Sequence, residues 1–487
     1  MATPLHIQRT RLLHEVDCRE IHHGSCRLLS EVGIALECQR AVDIFQQGGA
    51  RVEEGRVRIP ASMVDEALQK TAGRVHLGAQ AEAHRLDLHC DTPIAYFGTG
   101  GQALNVLHYR DGDFARAPAV TQDLVDIVRL CEALENAGFI TRPVEPDVPE
   151  EEMDLTKTRI FLEHTTKHIN LANLIKADKL PDILRMVDDP SRISFIACVV
   201  VSPMKWADDT AEKFMRIVEA DVPVAISSCP QAGLTAPLSE VGELVQVNAE
   251  ILSAVVLANL IRPGARVLYR GIPITSNLQS DLSPRWCQPE SIRRVALAAE
   301  LTQYYRIPCC GTAAVSDEKV PTPQAVSEKV LSMVYEAAGG AQFINSALGM
   351  LEQVLTVCPE QYIIDDRILS QIRHACAEAP DAEPAAIART AAVKSLEMLG
   401  VTVDSGIQQE IGNRIEYIHR PLETYDRATV DTQVEQIGRA VLSGRSGTRF
   451  MKAARAGLRQ GALYAGESLN GQLDLADIVR QKQALLQ

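Results

Sequence analysis

The sequence predicts an α/β protein: a (β/α)8 TIM barrel with an N-terminal α/β cap and a C-terminal helical extension. Three observations predict it. Between about residues 94 and 378 one pattern recurs eight times. An apolar strand is followed by a loop with glycine, proline or polar residues, and then by a helix. The clearest repeat, residues 226–271, runs strand end, loop, long apolar helix, tight turn, strand. That order makes a βαβ unit and implies a parallel sheet. Finally, no G-x-G-x-x-G follows a strand at the right place, so the runner-up, an open doubly wound sheet, lacks its best support.

The elements follow in order. Residues 1–93 form the cap. Helical spacing over 19–32 ends at Gly33, and a second helix, from 34 to 47, stops at Gly48-Gly49. GRVRIP is a short strand, Pro60 opens a helix over 61–71, and RVHLGAQ and HRLDLHC read as strands. His22, His23, His76, His84 and His89 suit surface or strand positions better than a ligand set. Residues 94–378 form the barrel and carry the active site. Its strands lie near IAYFG, GFITRPV, HINLANLI, ISFIACVVV, VPVAISS, RVLYRGI, IPCCGT and AQFINSA. Helices are expected over 120–137, 153–167, 177–188, 207–220, 238–262, 288–305, 322–338 and 360–377. VPVAISS is short, apolar and β-branched, as a strand buried on both faces should be. The helix after it is apolar almost all round, and Arg262-Pro263-Gly264 stops it. The glycine-rich run 97–101 has no helix behind it and reads as a turn. Residues 379–487 are helical and charged. They can pack under the barrel, meet a partner subunit or reach over the active site, and the sequence does not choose among these.

Composition narrows the functions. The formal net charge is −14, which argues against nucleic-acid or anionic-membrane partners. The 12 cysteines are scattered and the first residues lack an apolar signal core, so reduced thiols and a cytoplasmic location are expected. Apolar runs such as ILSAVVLANLI are too short and interrupted to span a membrane. His164 and His168 in HTTKH have zinc-ligand spacing, but Thr165 stands where a zincin carries glutamate. Cys309 and Cys310 are adjacent, so their side chains alternate across a strand and cannot chelate one metal. No C-x-x-C, nucleophile elbow or phosphate loop is present.

Six stretches carry a resemblance: CRLLSEVGIAL, GGARVEEGRVRIP, CPQAGLTAP, VNAEILSAVVLANLIRPGARVLYRG, GTAAVSDEKVPTPQAVSEK and GGAQFINSALGMLEQ. In this order they resemble the trimethylamine methyltransferase superfamily over about residues 20–378. The resemblance implies a barrel that gives a substrate methyl group to the cobalt of a separate corrinoid protein. The implied cofactor is therefore a cobalamin carried by a partner, and no metal is expected on this chain. Trimethylamine methyltransferases carry pyrrolysine in the barrel. This chain has none, so it resembles the pyrrolysine-free branch, which demethylates quaternary amines such as glycine betaine, proline betaine or carnitine. The family's histidine-rich C-terminal segment is not recognisable in TRFMKAARAGLRQGALYAGES.

The missing pyrrolysine has a chemical reason. A quaternary ammonium is already an activated methyl donor, because its leaving group is a neutral tertiary amine. The protein then needs to desolvate and orient the cation rather than supply a proton. Aromatic faces and carboxylates hold an ammonium, and a cation or backbone donors hold a betaine's carboxylate. Candidates lie at the C-terminal ends of barrel strands. The aromatics there are Tyr96, Phe97, Trp206, Tyr269 and Phe343, each of which also suits the core. Arg142 and Glu145 follow strand two, Asn170 ends strand three, and Cys229 and Gln231 follow strand five. Arg270 ends strand six as a fork for the substrate carboxylate or a member of an internal salt bridge. Asp317 and Glu352 are the candidate catalytic acids, supplying negative potential for the ammonium; helix capping is the other reading of Asp317. Gln324 and Asn345 complete the substrate-binding set. Glu328 is placed a turn deeper than Gln324 as structural, and Glu250 mid-helix is discounted as catalytic. The expected partners are a small quaternary amine, a cognate corrinoid protein and further copies of the chain. The competing readings are a metal-independent barrel lyase or hydrolase, and a non-catalytic barrel that has lost its site.

Overall fold

In the computed structural model, which describes residues 3–422, 425–457 and 463–486, eight parallel strands form the centre. They are β1 (Ile94–Gly98), β2 (Ala137–Thr141), β3 (His168–Asn170), β4 (Ile193–Ala197), β5 (Val224–Ser228), β6 (Val267–Gly271), β7 (Cys310–Thr312) and β8 (Phe343–Asn345). Strands β1 to β6 pair in parallel in chain order, β7 pairs with β8, and β8 pairs with β1. The two ends of this sheet meet at a bridge between Tyr269 and Cys309, supported by Tyr269 N–H donating to Pro308 O at 3.0 Å.

Period-two alternation explains why the strands read as continuous apolar runs. Phe97, Ile140, Ile169, Phe195, Ile226, Tyr269 and Ile344 point outward into the core shared with the helices. Tyr96, Phe139, Ile196, Ala225, Leu268, Cys310 and Phe343 point inward and pack on one another. The inner group is closed from below by a hairpin of the N-terminal region, Arg74–Leu77 with Leu86–His89. Val75, Leu77, Leu86 and Leu88 of that hairpin join the inner cluster.

The surrounding helices are α1 (Thr121–Ala133), α2 (Glu150–His164), α3 (Leu180–Met186), α4 (Asp208–Glu219), α5 (Glu240–Ile261), α6 (Pro289–Tyr305), α7 (Pro323–Gly339) and α8 (Pro359–Glu378). Proline opens α6, α7 and α8, where a missing N–H is harmless. Helix α5 is long and apolar enough to cross a membrane, but 89% of its most apolar window is buried inside the protein. It lies against β5 and β6 on one side. On the other it meets the N-terminal helices Glu15–Arg27 and Ala61–Lys70 and the C-terminal helix Arg427–Leu442. That enclosure explains the all-round hydrophobicity.

Three expectations need correction. Residues 34–35 form a short strand, not the start of a helix; Ile34 pairs with Val57, and the helix begins only at Gln39. His164 ends α2 while His168 opens β3, so the two share no helix face. A hairpin, Asn105–Arg110 with Asp113–Pro118, stands between β1 and α1, where only a loop was expected. Its second strand is largely exposed and charged and carries no apolar alternation.

Two small sheets rise above the C-terminal ends of the strands. The hairpin just named joins Met350–Leu351 and Thr356–Val357 in a four-stranded sheet. Gln231–Ala232, Ile274–Ser276 and Pro284–Arg285 form a three-stranded one. The C-terminal helices follow α8, and part of this segment borders the mouth. Leu469 N–H donates to Gln324 Oε1 at the start of α7, at 3.1 Å. In the loop after β5, a Cβ on Gly233 would stand 3.0 Å from Ala454 Cβ. Residues 458–462, inside the departure from the family pattern, lie outside the described residues.

Candidate active site

Above the apolar inner cluster the lumen turns polar. Strand register sets Thr141 beside Asn170, Ser227 beside Arg270 and Thr312 beside Asn345. Each of these sits two residues after an inward side chain, which is apolar except for His168 before Asn170, as strand alternation requires. Glycines let two of the lumen side chains pack directly against the backbone. A Cβ on Gly98 would overlap the Phe139 ring, and one on Gly100 would overlap Asn345 Oδ1. Gly100 also has φ +153°, which a side chain rarely adopts. Cys198 and Cys229, just past β4 and β5, are both exposed, so the mouth is open above this layer.

Arg270 is the cation of the layer. Its Nη1 donates to Ser227 Oγ at 2.6 Å and its Nη2 to Thr312 Oγ1 at 2.7 Å. The neighbouring strands thus hold the guanidinium by hydroxyls, not by a carboxylate. Arg270 makes no ion pair among the described residues, and its buried Nε has no hydrogen-bond partner. The internal salt bridge considered from the sequence is therefore not its arrangement. Thr141 Oγ1, in the same layer, is also buried without a partner. Unpartnered buried donors beside an open mouth are groups that a ligand can satisfy.

The other nominated residues fall into three places. Asn170 and Asn345 are in the polar layer and almost fully buried. Asn170 Nδ2 donates to Ser194 Oγ at 2.8 Å, and Asn345 Oδ1 accepts Ser346 N–H at 2.6 Å. Tyr96 and Phe343 lie one layer lower, where Phe343 stacks on Phe139 with centroids 3.6 Å apart. Phe97 must be corrected, since its ring faces the helices and not the lumen. Tyr269 and Trp206 are off the lumen for similar reasons. Tyr269 OH donates to Asn248 Oδ1 on α5, and Trp206 packs edge-on against Phe45 and Phe214.

The remaining nominees are on the rim. Glu145 is ion-paired with the fully buried Arg142, and Gln102 Nε2 reaches it at 3.4 Å. Gln231 accepts from Ser276 Oγ within the three-stranded sheet. Glu352 belongs to the four-stranded sheet, paired with Arg116 at 2.8 Å and with Thr356 Oγ1 at 2.6 Å. Gln324 spends its amide on Glu328 and on Leu469 N–H. Glu250 ties the loop after β4 to β5, accepting from Ser202 Oγ, Met204 N–H and Ser228 Oγ.

Asp317 does not cap α7. Thr322 does, accepting Ala325 N–H at 3.1 Å. Asp317 instead crosses to the loop after β6, accepting Trp286 N–H at 2.9 Å and Gln288 Nε2 at 3.3 Å. The same Gln288 amide donates to Glu328 at 3.2 Å, so the two carboxyl groups share one donor. Burial first, and then the Glu328 charge, push Asp317 well above the usual carboxylate range. Burial raises Glu328 as well. The pair is therefore expected to keep one proton at a higher pH than an ordinary carboxylate would. A raised carboxyl pKa means that folding binds a proton, so this contribution to stability declines as pH climbs from the ordinary carboxylate range through the raised one. Asp317→Asn keeps an acceptor for Trp286 N–H and removes the second charge. Its melting temperature should fall less than the parent's between pH 5 and 9. At pH 9 it should be the more stable protein, by on the order of 1–2 kcal/mol. Parallel melting curves at the two ends of that range would count against the shared proton.

Sequence reasoning missed Ser227, Thr312 and Thr141, the hydroxyls of the polar layer. The available signal was parity: each lies two residues beyond an inward apolar residue of its strand. An open cleft of about 1340 Å³ lies elsewhere. It lies at the opposite end of the barrel, where residues 3–13 pass the C-terminal ends of α6 and α8.

Fold and site together define a (β/α)8-type barrel enzyme whose open mouth presents an uncompensated arginine in a ring of small polar side chains. A family model for trimethylamine methyltransferase matches residues 3–399, so the chain belongs to that family and is a methyltransferase. It is 29% identical over 422 residues to a trimethylamine methyltransferase of Methanosarcina barkeri, with 83% of each chain covered. Against a trimethylamine methyltransferase of Desulfitobacterium hafniense the identity is 27%, over 73% of each chain. Against the glycine betaine methyltransferase of Desulfitobacterium hafniense it is 24%, over 76% of this chain and 78% of that protein.

Proposed function

We propose that this chain moves one methyl group from a betaine-like quaternary amine to cobalt(I) of a separate corrinoid protein. The observation that carries the reading is Arg270, held by two hydroxyls with no carboxylate partner and with Nε unsatisfied. Trimethylamine has no group for it to bind; a betaine has a carboxylate that matches a guanidinium fork. The layer of Thr141, Asn170, Ser227, Thr312 and Asn345 orients the zwitterion. The stacked Phe139 and Phe343 form an apolar floor beneath it. Asp317, engaged by Trp286 N–H and Gln288, and Glu352, paired with Arg116, are given no part in holding the ammonium.

The corrinoid is a second substrate brought by its own protein, and it supplies a nucleophilic metal. The methyl carbon–nitrogen bond breaks and its electron pair stays on nitrogen, so a neutral tertiary amine leaves. The new carbon–cobalt bond takes both electrons from cobalt(I). No proton moves, consistent with the lumen histidine His168 being held neutral by burial, with its pKa pushed down to about 4. The rim is open enough to be covered: Leu104 and Leu355 on one side and Val201 across from them are exposed apolar residues.

The test is to mix the protein with reduced cobalamin and glycine betaine, proline betaine, carnitine, choline or trimethylamine. The visible spectrum of methylcobalamin and one equivalent of demethylated amine are expected with a carboxylate-bearing amine. Turnover with trimethylamine alone would overturn the betaine reading, and hydrolysis without any corrinoid would favour a barrel hydrolase.

A further inference from the structure

Behind the Arg270 cradle stands an acid that the proposed reaction does not use. Glu336, on α7, is 3% exposed and reaches β7 from the helix side. It accepts Thr312 N–H at 3.3 Å, while Thr312 Oγ1 accepts Arg270 Nη2 at 2.7 Å. One residue thus links the acid behind the wall to the cation in the lumen. Gly311 makes this approach possible, because a Cβ there would overlap Glu336 Oε1. Glu336 makes no ion pair among the described residues. A cavity of about 10 Å³, room for roughly one water, lies beside it. Ser332, Trp286 and Cys287 are among the residues that line it.

We propose that Glu336 is a positioning residue that sets how strongly the Arg270 cradle holds a carboxylate. The inference rests on the reading of Arg270 as a carboxylate cradle. Two routes act together. The Thr312 bond fixes one of the two hydroxyls that aim the guanidinium. The charge of Glu336, when present, opposes the field of Arg270 through a thin, water-poor wall, where screening is weak.

The groups facing Glu336 are few. Arg270 reaches it from β6, Cys309 and Cys310 from β7 and its approach, and Cys287 from the loop after β6. Burial pushes all three thiols up, Cys310 to about 12, so they stay neutral across the working range. Among the described residues, Arg270 is the charged group that acts on Glu336, and none of α6, α8 or the following helix Pro384–Met398 does. Burial raises Glu336 to about 8, with the Thr312 N–H and Arg270 pulling it back. Below that pH the acid is neutral and Arg270 acts uncompensated. Above it the acid ionises and cancels part of the cradle's attraction. A carboxylate ligand, by linkage, draws a proton onto Glu336 as it binds.

The experiment is titration calorimetry with glycine betaine and carnitine, and with choline as the ligand lacking a carboxylate, from pH 6.5 to 9.5. Parent protein and Glu336→Gln are compared, and proton uptake is read from two buffers of different ionisation enthalpy. The parent should bind the carboxylate ligands about three- to tenfold more weakly at pH 9.5 than at pH 7, with proton uptake near pH 8. Glu336→Gln should remove both the slope and the uptake. Choline should show neither in either protein. A slope that persists in Glu336→Gln, or that choline shares, overturns the inference and leaves the Arg270 reading standing. If Glu336→Gln does not fold, proton uptake by the parent decides: none on binding a carboxylate ligand near pH 8 rejects the role. If no carboxylate ligand binds at any pH while choline does, the Arg270 reading falls and this inference with it.

Discussion

Arg270→Lys is expected to weaken carboxylate-bearing quaternary amines by about 1–3 kcal/mol, roughly five- to 150-fold, and to leave choline unchanged. The reason is geometric. The guanidinium spans two strands, touching Ser227 Oγ and Thr312 Oγ1 from opposite sides of β6. A planar fork anchored at both ends can turn its remaining N–H groups toward a carboxylate. An ammonium on a flexible stem keeps the charge but loses that fixed bidentate geometry. Arg270→Ala removes the charge as well and should cost more, leaving Ser227 and Thr312 without their donor. Titration calorimetry with a betaine and with choline separates the cases. Equal losses for both ligands would make Arg270 a structural residue and remove the main support for the betaine reading.

Lys329→Met should be the most destabilising single change near the mouth, at about 3–5 kcal/mol at pH 8.5. Lys329 and Asp365 are both fully buried and pair at 3.0 Å. Lys329 Nζ also donates to Ala314 O in the loop after β7, at 2.8 Å. Asp365 accepts Gly349 N–H in the loop after β8 at 2.7 Å and Gln361 Nε2 at 2.8 Å. One pair thus pins two rim loops to α7 and α8. Removing the lysine leaves a carboxylate in the interior with no counter-charge. Burial already raises Asp365 even with Lys329 beside it. Without the lysine it should rise further and take up a proton, so the loss should shrink at pH 5.5. Urea unfolding at the two pH values checks this. A loss below about 1 kcal/mol at pH 8.5 would show that the pair contributes little. Lys329→Met with Asp365→Leu should recover part of it, because no charge remains buried.

These outcomes bear on how much of the site is visible in the chain alone. Arg270 is legible because an arginine two residues beyond an inward leucine, at a strand end, has few places to go. Asp317 is legible as an unusual acid, but its environment is not. Its partners come from two separate segments, Trp286 and Gln288 from the loop after β6 and Glu328 from α7, and no local pattern joins them. Phe97 shows the opposite failure. Neighbouring residues on a strand face opposite sides, so Tyr96 and Phe97 cannot both face the lumen, and composition does not say which one does. Glu336 is hidden for a third reason. On a helix that is buried over its full length, nothing local marks the one acid that touches the strand behind the cradle.

The sequence by itself determined the eight alternating strands and helices, the buried character of α5 and the family motifs in order. Those depend on hydrophobic period and on turn residues, which are local properties. Only the tertiary structure decided that a hairpin from the N-terminal region closes the barrel from below and that part of the C-terminal segment borders the mouth. It alone decided, too, that hydroxyls rather than a carboxylate hold Arg270. Each of these depends on which distant segments meet. Apolar burial is non-directional and tolerates many partners, so a pattern of apolar residues states that a face is covered without stating what covers it.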